Sequence, residues 1–147
     1  MRFFYAKIEL RMYKRSHTCG ELRKSDIGLS VNLNGWVNTV RLHGKVVFVD
    51  LRDRYGKTQV VFDTESFSGD FDSVKKLSME DVLSIQGTIR DRDEAAINSN
   101  IDTGEIEVAV SEYIILNEAS PLPFVLNDRE NAEENLRLKY RYLELRM

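Results

Sequence analysis

The chain has 147 residues, of which 42% are hydrophobic, 10% aromatic and 31% charged, a composition typical of one globular domain with a short appendage. No apolar run approaches the roughly 20 residues of a membrane-spanning helix, and the single Cys19 excludes an internal disulfide, so we expect a cytoplasmic protein without membrane segments. The net charge of −3 argues against a protein coated in basic residues for sequence-blind nucleic-acid binding.

Apolar residues alternate along five segments with the two-residue period of half-buried strands. The predicted strands run from Val31 to the break at Gly44 and then over Lys45–Arg52, Thr58–Phe62, Val82–Asp91 and Glu105–Leu116. Ser66–Met79 loses this period and predicts a short helix. Five strands with a helix between the third and the fourth is the element order of an all-β OB-fold, a five-stranded Greek-key barrel.

The sequence changes character after the fifth strand. Pro121 and Pro123 exclude a helix at that point and indicate a linker. Further on, Leu136, Tyr140 and Leu143 form one apolar stripe on a helix candidate, and this stripe needs a packing partner. The predicted organisation is an N-terminal extension at 1–15, the barrel at 16–117, a hinge or linker at 118–131, and the start of a helix at 132–147.

Signatures of a self-contained active site are missing from the sequence. It contains no Walker-type phosphate loop, no G-x-S-x-G motif and no H-E-x-x-H motif. His17 and Cys19 would supply two metal ligands without the other two, and the acidic segment Asp91–Glu94 has no apolar flanks that would raise a pKa. We therefore expect no catalytic residue, metal or cofactor in this chain.

Strand parity indicates one candidate binding surface. If Val47, Val49 and Leu51 fill the core, Phe48 lies on the outer face of the second strand, and the same parity turns Gln59 outward across the hairpin. A ring beside an exposed amide would stack on a splayed-out base and hydrogen-bond to its Watson–Crick edge. The same stretch is locally basic and would hold phosphates through Arg41, Lys45, Arg52, Arg54 and Lys57.

Each of these features also has a structural interpretation. The terminal helix or the N-terminal extension could cover Phe48, and Arg52 could pair with Asp53 around the hairpin turn. Two interpretations of Trp36 remain, namely that it packs near the helix or that it contacts a ligand. A free-standing barrel that binds protein or single-stranded nucleic acid is the alternative function.

Three separated segments resemble the N-terminal part of bacterial-type aspartyl-tRNA synthetases. They are GWVNTVRLHGKVVFVDLRDRYGKTQVVFD at 35–63, IRDRD with the later TGEIEV between 89 and 108, and LRLKYRYLELR at 136–146. The last string disfavours the lysine and asparagine synthetases. The resemblance implies an OB-fold that grips the anticodon of tRNA-Asp, followed by a hinge and a helix that leads into the catalytic domain. It also implies that ATP and Mg²⁺ bind only in that absent domain, so that this chain is inactive alone.

The resemblance implies roles for individual residues around the anticodon. Phe48 would stack on the central anticodon base, a uracil, and Gln59 would read that base. Arg41 and Arg90 would contact the other anticodon nucleotides or their phosphates. Glu107, on the fifth strand, would face the same pocket.

Two further site residues follow from the same resemblance. Arg92 is an additional anticodon contact, and His43 lies where the family residue influences whether the tRNA for asparagine is also accepted. The family often has three consecutive arginines where this sequence has Thr39, Val40 and Arg41. The implied partner is the anticodon stem-loop of tRNA-Asp, with no membrane; the parent enzyme would be a homodimer and this chain a monomer.

Overall fold

A computed structural model describes residues 14–146, except for the side chains of Asn127 and Arg129. The predicted N-terminal extension therefore lies almost entirely outside the described residues. The described elements are β1 (Ser30–His43), β2 (Val46–Arg52), β3 (Lys57–Phe62), α1 (Phe71–Lys75), β4 (Val82–Asp91), β5 (Ile106–Asn117), α2 (Glu134–Lys139) and α3 (Arg141–Glu144). Between residues 14 and 146, no helix has the length and apolar character needed to cross a membrane.

The five strands form a closed barrel in the order β1-β2-β3-β5-β4. All neighbours are antiparallel except β3 and β5, which close the barrel in parallel through the pairs Val60 with Val108 and Val61 with Ala109. β1 pairs with both β4 and β2 because its register shifts after Val37, where a bulge bends the strand. The predicted OB-fold is confirmed.

The core lies inside the barrel and is built by the predicted alternation. Val47, Val49 and Leu51 of β2 are fully buried, and Phe62 is the largest buried side chain. The Phe62 ring packs edge-on against Tyr113, with ring centroids 5.3 Å apart. Each such side chain contributes about 1.5–3 kcal/mol through the apolar surface it removes from water.

Two positions of the backbone need glycine, one for its conformation and one for a close approach. Gly44 has a φ of 60° in the turn from β1 to β2, a conformation that other residues rarely adopt. A Cβ on Gly20 would lie 2.2 Å from the carbonyl oxygen of Tyr55, so the segment before β1 packs directly on the β2–β3 turn. The alternative in which Arg52 pairs with Asp53 is not the observed arrangement, because the Asp53 carboxylate accepts hydrogen bonds from backbone amides at this contact instead.

The prediction of one helix over 132–147 is corrected by the structure. α2 and α3 are separated by Tyr140, whose φ of −110° and ψ of 39° are not helical. The predicted apolar stripe nevertheless finds a partner, because Leu136 and Leu143 pack with Phe124 of the linker. A helix of this length is marginal in water, so packing onto the linker decides the backbone path.

Candidate nucleic-acid interface

A cavity of about 380 Å³ opens on the outer face of the barrel, next to the loop that follows β4. The strand register aligns Arg41 with Phe48 and Asp50 with Gln59, so all four side chains project from the same face. The lining residues are Arg41, Leu42, His43, Phe48, Asp50, Gln59, Arg92, Ala96 and Asn98.

Phe48 lies where strand parity predicts it. Its neighbours Val47 and Val49 are fully buried in the core, whereas the half-buried Phe48 ring lines the cavity. The contacts of Arg146 with the barrel are at Trp36 and Glu80, not at Phe48. Within residues 14–146, Phe48 thus lines the cavity and the terminal helices do not cover it through Arg146.

The prediction that Gln59 is exposed to solvent is wrong, because the side chain is only 6% exposed. Its Oε1 accepts a hydrogen bond from Arg41 Nη2 at 3.2 Å, and its Nε2 donates to Glu107 Oε2 at 2.8 Å. A flipped amide would place donors against the guanidinium and an acceptor against the carboxylate. The two charged neighbours thus fix the orientation of the Gln59 amide, with its oxygen toward Arg41 and its nitrogen toward Glu107.

The hydrogen bonds extend from Gln59 toward β1 and β2. Arg41 Nη2 also donates to Asp50 Oδ1 at 2.8 Å. Asp50 Oδ2 in turn accepts a hydrogen bond of 2.6 Å from Thr39 Oγ1. Thr39 thus supports the position of Arg41 through Asp50.

The same network continues from Glu107 toward β4. Glu107 Oε1 accepts from Arg90 Nε at 2.7 Å, and Arg90 Nη2 lies 2.8 Å from Asp63 Oδ2. Burial opposes the charge on Arg90, yet hydrogen bonds and charge from Glu107 and Asp63 raise its pKa above the ordinary value. We call the series Thr39, Asp50, Arg41, Gln59, Glu107, Arg90 and Asp63 the polar network.

Arg92 is the least satisfied polar group of the cavity. It is 7% exposed, with Nε donating to the Ile106 carbonyl and Nη1 to the Ala96 carbonyl, both at 3.2 Å. Among the described residues its buried Nη2 has no hydrogen-bond partner. Burial lowers the pKa of Arg92 from its ordinary value, against the opposing charges of Glu107 and Asp50. A ligand acceptor at this nitrogen would relieve the desolvation cost.

The structure separates the basic residues that the sequence places in one stretch. Lys45 follows Gly44 at the cavity end of β2, whereas Arg54 and Lys57 lie around the opposite turn. Arg52 pairs with Glu80 away from the cavity. His43 is exposed and lines the cavity at the end of β1.

Sequence reasoning missed several residues of the site. Asp50 was predictable, because it stands two residues after Phe48 on the same strand face. Asp63 follows the end of β3, where parity no longer applies, and it reaches Arg90 only after the barrel closes. Asn98 belongs to the loop after β4, which carries no periodic signal.

Comparisons with known proteins identify the family to which this chain belongs. The tRNA anti-codon family model, described as an OB-fold nucleic acid binding domain, matches residues 31–116. The chain belongs to this family. The resemblance to aspartyl-tRNA synthetases is also confirmed by relatives that match nearly the whole chain.

Two of these relatives carry the name aspartate–tRNA(Asp/Asn) ligase. The protein from Salinibacter ruber is 49% identical over 136 residues, which are 90% of this chain and 22% of that protein. The protein from Thermotoga maritima is 50% identical over 132 residues, again 90% of this chain and 22% of the relative. The chain therefore spans about a fifth of the length of these curated relatives.

A solved structure extends the comparison to three dimensions. Asparaginyl-tRNA synthetase from Pyrococcus horikoshii, complexed with asparaginyl-adenylate, superimposes with a TM-score of 0.75 at 29% identity. The match covers 89% of this chain and 29% of that one. The anticodon-binding OB-fold domain thus matches synthetases of both the aspartyl and the asparaginyl type.

The Asp63 carboxyl makes the stability of the domain depend on pH. Burial by itself would raise its pKa, but hydrogen bonds from Ser66 and the ion pair with Arg90 hold the pKa below the ordinary value of 3.8. The ionised form therefore stabilises the fold above about pH 4, and this contribution is lost as the pH falls through the lower folded-state pKa. We expect Asp63→Asn to lower the free energy of unfolding at neutral pH and to flatten its decline in acid.

Urea unfolding between about pH 3 and pH 7 measures this difference. Asp102→Asn, which changes an exposed carboxyl, is the matched control and should keep the wild-type acid dependence. An Asp63→Asn variant whose stability declines in acid as steeply as that of the wild type would contradict the role of Asp63.

Proposed function

We propose that this domain reads the anticodon loop of tRNA-Asp by receiving the central uracil in the cavity between Phe48 and Gln59. The single observation that carries the proposal is the combination of a half-buried ring and an amide of fixed polarity in one cavity. Stacking on an aromatic side chain contributes about 1–3 kcal/mol per base, and hydrogen bonds to the base edge then distinguish one base from another.

The chemistry of the Gln59 amide favours uracil over cytosine. After its contacts with Arg41 and Glu107, the amide retains one lone pair on Oε1 and one hydrogen on Nε2. Uracil offers a donor at N3 and an acceptor at O4, which match this pair. Cytosine offers an acceptor at N3 and a donor at N4, the reverse order. Since the amide is not free to flip, its Nε2 donor would face the N4 donor of cytosine.

The arginines of the cavity would hold the rest of the anticodon. In the part of the chain that the structure describes, the buried Nη2 of Arg92 has no hydrogen-bond partner, and Arg41 and Arg90 lie on either side of the Gln59 amide. Asp50, Glu107 and other carboxylates offset part of this positive charge. We therefore expect phosphate contacts to position the loop, while stacking and base contacts provide selectivity.

The relatives support a proposal for the function of the whole protein. The domain would supply tRNA recognition for aspartyl-tRNA formation in the cytoplasm, with ATP and Mg²⁺ used by a catalytic domain and no cofactor bound here. The two named relatives are aspartate–tRNA(Asp/Asn) ligases, which supports this role. We expect the isolated chain to be monomeric and the parent enzyme homodimeric, which sedimentation measurements on each would test.

Replacing the stacking ring tests the binding site directly. Phe48→Ala should weaken binding of a GUC-anticodon hairpin by about 1–3 kcal/mol, because the base loses its aromatic platform. Fluorescence titration measures the dissociation constant. Tyr55→Ala is the matched control, since this ring is 59% exposed and belongs to the β2–β3 turn. Unchanged binding by a folded Phe48→Ala variant would exclude the stacking role.

The salt dependence of the binding affinity distinguishes this function from that of a protein-binding barrel. Neutralised phosphates release counterions, so the affinity for the hairpin should fall steeply with salt concentration. A mainly apolar protein interface would show little change. Arg92→Met should reduce the salt slope, whereas an unaltered slope would argue that Arg92 contacts no phosphate.

The central base provides a second prediction. Changing the hairpin from GUC to GCC should weaken binding to the wild-type domain by about 1–3 kcal/mol, because cytosine reverses the donor and acceptor that Gln59 meets. In Gln59→Ala this difference should largely disappear, since no amide remains to distinguish the bases. An equal preference for uracil in both proteins would show that another group reads the base.

His43 leads to a prediction on the third anticodon base. We expect the domain to accept both tRNAs. A GUU hairpin of the tRNA-Asn type should bind more weakly than the GUC hairpin by less than roughly tenfold, or about 1.4 kcal/mol. His43→Leu should change this ratio but not the preference for a central uracil. Charging of both tRNAs by the full-length enzyme is the independent test, and failure to charge tRNA-Asn would refute relaxed choice.

A further inference from the structure

A second polar cluster lies on the outer face of the barrel, where β1 pairs with the far end of β2. Its centre is Glu80, which is 6% exposed and precedes β4. Glu80 has a φ of 72° and is the only residue other than glycine with a positive φ between residues 14 and 146. Such a conformation persists only where the surroundings hold it.

Backbone hydrogen bonds hold Glu80 against the bulge of β1. The Glu80 amide donates to the Val37 carbonyl at 2.8 Å, and the Val37 amide donates to the Asp81 carbonyl at the same distance. Val37 is the last residue before the register of β1 shifts. The bulge thus fixes the position from which the Glu80 carboxylate projects.

The Glu80 carboxylate binds one arginine from each of two distant parts of the chain. Arg52 Nη2, at the end of β2, donates to Oε1 at 2.6 Å. Arg146 Nη2, directly after the terminal helices, donates to Oε2 at 2.7 Å. The Arg146 guanidinium also lies over the Trp36 ring, 4.8 Å from its centroid, in a cation–π contact. We call Glu80, Arg52, Arg146 and Trp36 the clasp.

The clasp matters for the attachment of the terminal helices, because few apolar contacts join these helices to the barrel in the part of the chain that the structure describes. Phe124, Leu126 and Leu143 form a small hydrophobic cluster of their own, separate from the barrel core. Near the start of the linker, the Ala119 amide donates to Asp81 Oδ1 at 2.8 Å. The terminal segment, which we define as residues 118–146, is thus attached to the barrel largely by polar and cation–π contacts among the described residues.

We infer that Glu80 is a positioning residue that holds Arg146 on Trp36 and thereby sets the direction in which the chain leaves the barrel. Without the carboxylate, Arg52 and Arg146 would face each other as uncompensated cations, and Arg146 would move away from the indole. The Arg146 side chain is 33% exposed, so salt screens its attraction to Glu80. The inference does not depend on which RNA the cavity binds.

The domain contains a built-in probe for this contact, because Trp36 is its single tryptophan. Quenching by neutral acrylamide reports how far the indole is covered. Arg146→Ala should raise the quenching constant by up to roughly twofold, since it removes the guanidinium nearer to the ring, while that of Arg52, 6.0 Å from the same centroid, remains. Glu80→Gln should raise it as well, and Arg146→Lys should restore part of the protection through charge alone.

Arg141→Ala is the matched control, because it removes an exposed arginine of α3 and should leave the quenching unchanged. High salt should raise quenching in the wild type and have little further effect in Arg146→Ala. A merely structural role for Arg146 would give neither this salt dependence nor rescue by lysine. Unchanged quenching in both Arg146→Ala and Glu80→Gln would overturn the inference.

Energy transfer measures the position of the terminal segment itself. A fluorophore attached to Leu145→Cys, a site that is 73% exposed, accepts energy from Trp36. The buried Cys19 does not compete for the label, because burial raises the pKa of its thiol. Transfer should fall when Glu80→Gln or high salt releases Arg146. If Glu80→Gln does not fold, Arg146→Ala decides alone, and constant transfer in that variant refutes the inference.

Discussion

The Gln59 amide, held between a guanidinium and a carboxylate, is the contact on which the candidate interface depends. An amide in solution samples both orientations, and selecting one of them on binding would cost affinity. Here Arg41 and Glu107 select the orientation during folding. On the proposed function, the amide would meet a base in a single arrangement, and its selectivity would not require the ligand to reorganise the site.

The remaining members of the polar network keep those two charges in place. A buried charge without a partner is strongly unfavourable, and the buried Glu107 is compensated by Arg90. The exposed Arg41 is held in place by Asp50. The network alternates cations and carboxylates across the outer face of the barrel. Arg92 departs from this balance, because its buried Nη2 has no hydrogen-bond partner within residues 14–146.

The local parts of this arrangement could be predicted from the sequence, whereas the non-local parts could not. Strand alternation places Phe48 outside and its neighbours inside, because parity along one strand is a local property. The burial of Gln59 depends on Glu107, 48 residues away, which reaches it only through the parallel closure of β3 and β5. The break at Tyr140 likewise depends on packing with the linker, and helix periodicity does not reveal it.

β2 connects the candidate interface to the clasp. Phe48, Asp50 and Arg52 are alternate residues of this strand, so they form one row on its outer face with steps of about 6.6 Å. The strand is paired on both sides, with β1 and β3, and its inner side chains are fully buried. We expect a strand held in this way to stay in place when the cavity is occupied. On the proposed function, the row would then keep a bound base at a set distance from the terminal segment, so that the coupling between them would be positional.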